Sequence, residues 1–172
     1  MKKLIFLSIS LLFITQNILA QNPLESNPSL SGVTIGDDFS KWKNSLEFND
    51  KDGVFDIYDY TNEFKIGGFI ANRVRVVSIN STNKIGSLNI YMQMIWTQKK
   101  EALILHNIKL LFGEPQEKQE SNYETKYTWE SDSYLLFLVC DISDSNPALY
   151  QQDVTIYLTS KVILDKKISS QY

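Results

Sequence analysis

The chain has 172 residues with 17 basic against 20 acidic side chains, one histidine and one cysteine. An acidic balance without a basic cluster excludes a phosphate-backbone surface of the kind nucleic acids require. A lone cysteine excludes an internal disulfide, so packing has to hold the fold together.

In chain order, Lys2 and Lys3 precede an uncharged run over residues 4–14, and Ile18-Leu19-Ala20 follows a short polar stretch. This is the pattern of a secretory signal peptide with a small residue at the cleavage position. The run is 11 residues long, against the roughly 20 that span a bilayer. The reading is therefore a signal peptide at 1–20, no membrane span after its removal, and an exported protein in the periplasm or outside the cell. Cleavage takes away two lysines and no acids, leaving 15 basic and 20 acidic side chains. That charge argues further against nucleic acid as a partner.

Residues 21–31 hold two prolines and no periodicity, which predicts a disordered lead. A first unit begins at Gly32. Asp37 or Asp38 caps a short helix with Phe39, Trp42 and Leu46 on one face. Strands are predicted over 54–61, 64–80 and 85–96, the second interrupted at Gly67-Gly68 and joined to the third by a hairpin at 80–84. The second unit opens with Thr97 capping a helix that runs to Phe112, with Ala102, Leu105, Ile108 and Phe112 as its apolar stripe.

Gly113 and Pro115 stop that helix, which assigns the motif-like Leu-Phe-Gly-Glu-Pro to a corner of the fold, not to chemistry. Tyr127 and Trp129 face the core on a strand over 123–130. Strands over 134–140 and 154–158 follow, separated by a loop at Asp144-Ser145-Asn146-Pro147. The organisation expected is α+β: two helix-plus-three-strand repeats at 32–96 and 97–165, helices packed on antiparallel sheet, with a tail at 166–172.

A helix ending in Leu-Phe-Gly-Glu-Pro, a polar gap and then Tyr-x-Trp opening a meander resembles the repeat unit of exported proteins related to the β-lactamase-inhibitor-protein and outer-membrane-assembly-lipoprotein group. Gly32 to Trp42 (GVTIGDDFSKW) looks like the start of such a unit. The resemblance covers about a dozen residues. It implies a helical element on an antiparallel sheet and, by analogy of fold, a protein-binding role. This chain lacks both the lipidated cysteine and the disulfide pairs of those groups.

Chemistry is sparse. His106 alone cannot build a His-based metal site, and Cys140 ends the most apolar strand, where thiols are inert. No nucleophile-elbow, P-loop or dinucleotide glycine pattern occurs. In the acidic stretch from Phe48 to Asp59, aligning Gly53 with the glycine of a calcium loop puts Phe48 at the first ligand position, where it offers no oxygen. The stretch therefore reads as an Asp-Gly turn into a strand. No catalytic residue, metal or cofactor is assigned.

One constellation rises above this background. If Phe55 and Ile57 face the core, Tyr58 and Tyr60 face outward; if Val74 and Val76 do, Arg73 and Arg75 face outward, with Tyr91 beside them. Tyr and Arg are the residues enriched at binding hot spots. The alternative is a plain exposed sheet stabilised by cross-strand pairs. The expected function is an exported, non-catalytic protein that recognises a protein or envelope component through this face. A small carboxylate-dependent hydrolase acting on glycan is the alternative, since carboxylate separation is a three-dimensional quantity.

Overall fold

A computed structural model describes residues 22–79, 82–95, 98–143 and 151–169. The signal peptide at 1–20, Thr97 and the loop at 144–147 lie outside the described residues.

One antiparallel sheet organises the chain. It comprises β3 (Leu46–Asp52), β4 (Phe55–Tyr60), β7 (Arg73–Ile79), β8 (Lys84–Ile95), β9 (Glu117–Glu120), β10 (Glu124–Glu130), β11 (Tyr134–Ser143) and β12 (Gln151–Ser160). Their spatial order is β3-β4-β7-β8-β12-β11-β10-β9. Two small hairpins, β1 (Ser29–Leu30) with β2 (Val33–Thr34) and β5 (Lys65–Ile66) with β6 (Phe69–Ile70), stand apart. The helices are α1 (Pro23–Ser26), α2 (Gln98–Phe112) and α3 (Lys161–Ser169), with a 3₁₀ helix over Phe39–Ser45.

The expectation of an α+β chain of two helix-plus-three-strand repeats is thereby corrected: the fold is mostly β, built on one eight-stranded sheet with few short helices. Two strands carry the difference. β3 is Leu-Glu-Phe-Asn-Asp-Lys-Asp and β9 is Glu-Lys-Gln-Glu, both almost wholly exposed at the two edges of the sheet. Neither shows the alternation that marks a half-buried strand. Charged residues suit an edge because they discourage further pairing. The long segment at 64–80 also divides, into the β5-β6 hairpin turning at Gly67-Gly68 and the separate strand β7.

One face of the sheet is covered. Val74, Val76, Leu88, Ile90, Val154, Ile156, Leu158, Leu136 and Leu138 form its inner layer, each at most 3% exposed. From α2, Ile104, Ile108 and Phe112 press onto it, spaced four apart on one helical stripe. The predicted stripe is rotated by about a turn position: Ala102 is exposed and Leu105 only half-buried. Each fully buried side chain of this size contributes about 1.5–3 kcal/mol.

The corner after α2 is structural, as its residues suggest. Gly113 takes a left-handed φ of 78° and donates its N–H to Lys109 O at 2.8 Å. Its carbonyl accepts from the buried Trp129 indole at 2.9 Å, tying the helix end to β10.

The predicted disordered lead is folded from Asn22 onward. Asn22 caps α1 through Leu24 N and donates to Glu130 O at 2.8 Å, while Glu25 accepts from Ser133 N and Oγ at 2.9 and 2.6 Å. Leu24 and Leu30 reach the core at 0% and 1% exposure. Two buried leucines among polar residues are too few to set a period, yet they anchor the segment. The predicted tail is similarly part of α3 as far as Ser169.

Candidate functional site

Register decides which side chains share a face. Directly opposed residues in an antiparallel ladder point the same way, and here Tyr58 opposes Val76 and Ile57 opposes Val77. Tyr58 and Tyr60 therefore sit on the covered face with Val76. The 3₁₀ helix packs on them, Phe39 4.4 Å from Tyr58 and Trp42 6.4 Å from Tyr60 between ring centroids. Burial first, and then the Asp56 charge, push the Tyr58 phenol above its ordinary value.

Arg73, Arg75 and Tyr91 do lie together on the other, open face, because Arg73 opposes Tyr91 and Arg75 opposes Asn89. Of the five predicted residues, then, three come together and two are separated from them by the thickness of the sheet. Phe55 and Ile57 face the open side as well. Phe55 joins Ile79 and Ile163 in a small second cluster beneath α3.

Three residues outside the predicted Tyr-Arg face complete the site. Asp59, opposite Arg75, accepts from Arg73 Nε and Nη2, both at 2.8 Å, and lies 4.0 Å from Arg75 Nε. The bidentate hydrogen bond from Arg73, with the charges of both arginines, holds the Asp59 carboxyl below the usual carboxylate range against its partial burial. Tyr157 meets Tyr91 edge to face at 6.4 Å, and burial, then Tyr91, raises its phenol. Phe137 opposes Tyr157 and carries Lys126 Nζ 4.3 Å over its ring.

The Arg75 guanidinium is 5.8 Å from the Tyr91 ring, and its Nε is buried without a hydrogen-bond partner among the described residues. The groove between α3 and this part of the sheet has a volume of about 350 Å³, with Ile57, Val77, Tyr157 and Ile163 along its walls. Gly86 lets Ile163 lie flush on β8 at one side of the groove: a β-carbon there would sit 2.0 Å from Ile163 Cδ1.

At the other end of the open face, Glu124, Asp141 and Asp153 stand in register across three strands. Burial, then the two neighbouring carboxylates, raises Asp141 above its ordinary value. On the covered side, burial and then the charges of Glu101 and Asp141 push the Cys140 thiol up to about 12, so it stays protonated at neutral pH and lacks the thiolate a nucleophile needs. His106 is exposed on α2. The acidic stretch Phe48 to Asp59 forms the β3-β4 hairpin, turning at Gly53.

Fold and site together define a β protein organised by one eight-stranded sheet, with one helix-covered face and one more open, aromatic and arginine-bearing face. No protein-family model, curated protein or solved structure matches the chain.

Proposed function

We propose that this chain is an exported, non-catalytic binding protein that engages a protein or envelope component through the open sheet face around Arg73, Arg75, Tyr91 and Tyr157. Export, to the periplasm or beyond, rests on the signal-peptide pattern of residues 1–20. The observation that carries the binding reading is Arg75. Its Nε is buried without a hydrogen bond among the described residues, with only Asp59 Oδ1 at 4.0 Å, and its guanidinium is 5.8 Å from an aromatic ring at the edge of an apolar groove. Leaving such a donor unpaired costs about 1–3 kcal/mol, which a partner's carboxylate or phosphate would offset. Arg73, by contrast, is already held by Asp59 and orients the patch.

The test is capture of partners from the producing cell's envelope fraction on immobilised protein. A component retained by the wild type and lost with Arg75→Ala supports the reading. Equal retention by the variant, or release of reducing ends from envelope glycan by the purified protein, overturns it.

A further inference from the structure

Among the described residues, a second buried polar atom without a hydrogen bond lies on the opposite side of the sheet. Between the first turns of α2 and the β9-β10 hairpin is a cavity of about 510 Å³. Its floor is Gln152, 1% exposed, on β12. Gln152 Nε2 donates to Glu101 Oε2 at 3.2 Å, which fixes the orientation of the amide and leaves Oε1 as the end with no partner. The Tyr127 hydroxyl donates to the other oxygen of the same carboxylate at 3.5 Å.

The floor thus offers acceptors. Among the described residues, the two hydrogen bonds that Glu101 receives come from neutral groups, a carboxylamide and a phenol, and the nearby Lys118 charge is shared with Glu120. At the mouth, Lys118 is engaged with Glu120 at 2.6 Å, whereas the Glu124 side chain is directed to the open face with Asp141. Two carboxylates, Glu101 and Glu120, and one ammonium therefore face the cavity. Ala102, Leu105 and the Tyr127 ring supply an apolar wall.

We propose that this cavity binds a primary alkylammonium group, as carried by a small amine or a lysine side chain. The ammonium is held between Glu101 and Gln152 Oε1, with its alkyl stem along Leu105 and Tyr127. An ammonium has three N–H donors and no acceptor. That complements a carboxylate and an amide oxygen, whereas an anion would meet the like charge of Glu101 and an alcohol has one donor for two acceptors. The site is independent of the open-face interface, being on the other face of the sheet and built from other residues.

The experiment titrates isotopically labelled protein by NMR with n-pentylamine and, to distinguish a free amine from a lysine side chain, with N-acetyl-lysine methylamide. The same-charge control is n-pentyltrimethylammonium, which has no N–H to give. Expected are saturable shifts at the amides of Glu101, Tyr127 and Gln152 with one or both primary amines. The control should bind at least about tenfold more weakly, since a hydrogen bond to a charged group is lost. Gln152→Met should weaken amine binding about tenfold or more, and Glu101→Gln should weaken it further. If Gln152→Met does not fold, Glu101→Gln, at a half-buried position, decides alone. No saturable shift with either amine overturns the proposal. So does equal affinity for pentylamine and the trimethyl control, or amine binding that survives Glu101→Gln, because buried Oε1 is then satisfied by water alone.

Discussion

Tyr58 and Arg75 lie on strands that pair directly, yet truncating them should have opposite consequences. Tyr58 contacts Phe39 at 4.4 Å and Phe48 at 5.6 Å on the covered face. Removing a fully buried aromatic ring costs about 3–5 kcal/mol. Tyr58 is only partly buried, so Tyr58→Ala should lower stability by about 2–3 kcal/mol, including about 0.5–1.5 from the loss of each aromatic pair. For a domain of this size that is a fall of roughly 5–10 °C in Tm. Arg75→Ala removes a donor that makes no hydrogen bond among the described residues and a cation that is 4.0 Å from Asp59 with its side chain 35% exposed. Its effect on stability should stay within about 1 kcal/mol, while retention of the envelope partner is lost. Urea unfolding of both variants, run beside the capture assay, separates the two roles. A Tyr58→Ala variant as stable as the wild type but unable to hold the partner would refute the register-based division of the faces.

Three further outcomes are expected. Leu24→Ala should cost about 2–5 kcal/mol, because Leu24 is wholly buried; an unchanged urea midpoint would mean that the N-terminal segment does not pack. Gly86→Val should push Ile163 off the sheet, since even a single added carbon falls 2.0 Å from Ile163 Cδ1; faster tryptic cleavage within residues 161–169 checks it, and an unchanged rate counts against the contact. The Asp59 carboxyl is depressed by Arg73, so its stabilisation is fully present above the ordinary aspartate value and disappears as pH falls through the lowered folded value. The stability gap between wild type and Asp59→Asn should therefore shrink between pH 7 and roughly pH 3, as followed by urea unfolding, and a constant gap would contradict that.

How much of this was legible in the sequence depends on what each signal can fix. Alternation in Arg73-Val74-Arg75-Val76 assigned both arginines to one face correctly, because parity within a strand is set by the backbone itself. Parity between strands is not. Phe55 and Ile57 do face an apolar cluster, but it is the small one under α3, and the main core lies beyond the other face. A strand with apolar side chains on both faces carries no label saying which is the principal core, and pairing of Tyr58 with Val76 had to come from register. The flanking pairings, β3 with β4 and β7 with β8, shift at Phe48/Asp50 and Val77/Ser78, which local composition does not reveal. The helix stop at Gly113 was readable because caps are local. The meeting of Glu101 with Gln152 was not, since their 51-residue separation is closed only by the packing of α2 on β12.

Arg75 Nε and Gln152 Oε1, the buried side-chain atoms without a hydrogen bond among the described residues, bear on stability as well as on binding. An unpaired buried donor or acceptor costs about 1–3 kcal/mol, a sizeable share of the roughly 5–15 kcal/mol that holds a domain folded. Sequences break such local rules mainly at functional sites, where a ligand completes what the fold leaves undone. If these atoms are placed for ligands, replacing them with apolar side chains of similar length should improve the free protein and impair binding. Gln152→Met keeps the volume of the buried side chain and removes Oε1. It also releases Nε2 from Glu101, but that half-buried carboxylate can recover its hydrogen bond from solvent. The unliganded variant should therefore be as stable as the wild type or more so, by up to about 1 kcal/mol, while losing its response to alkylamines. Urea unfolding without ligand decides the first half. A loss of more than about 1 kcal/mol would mean that the amide supports the fold through its contact with Glu101, and Oε1 would no longer mark a place kept for a ligand.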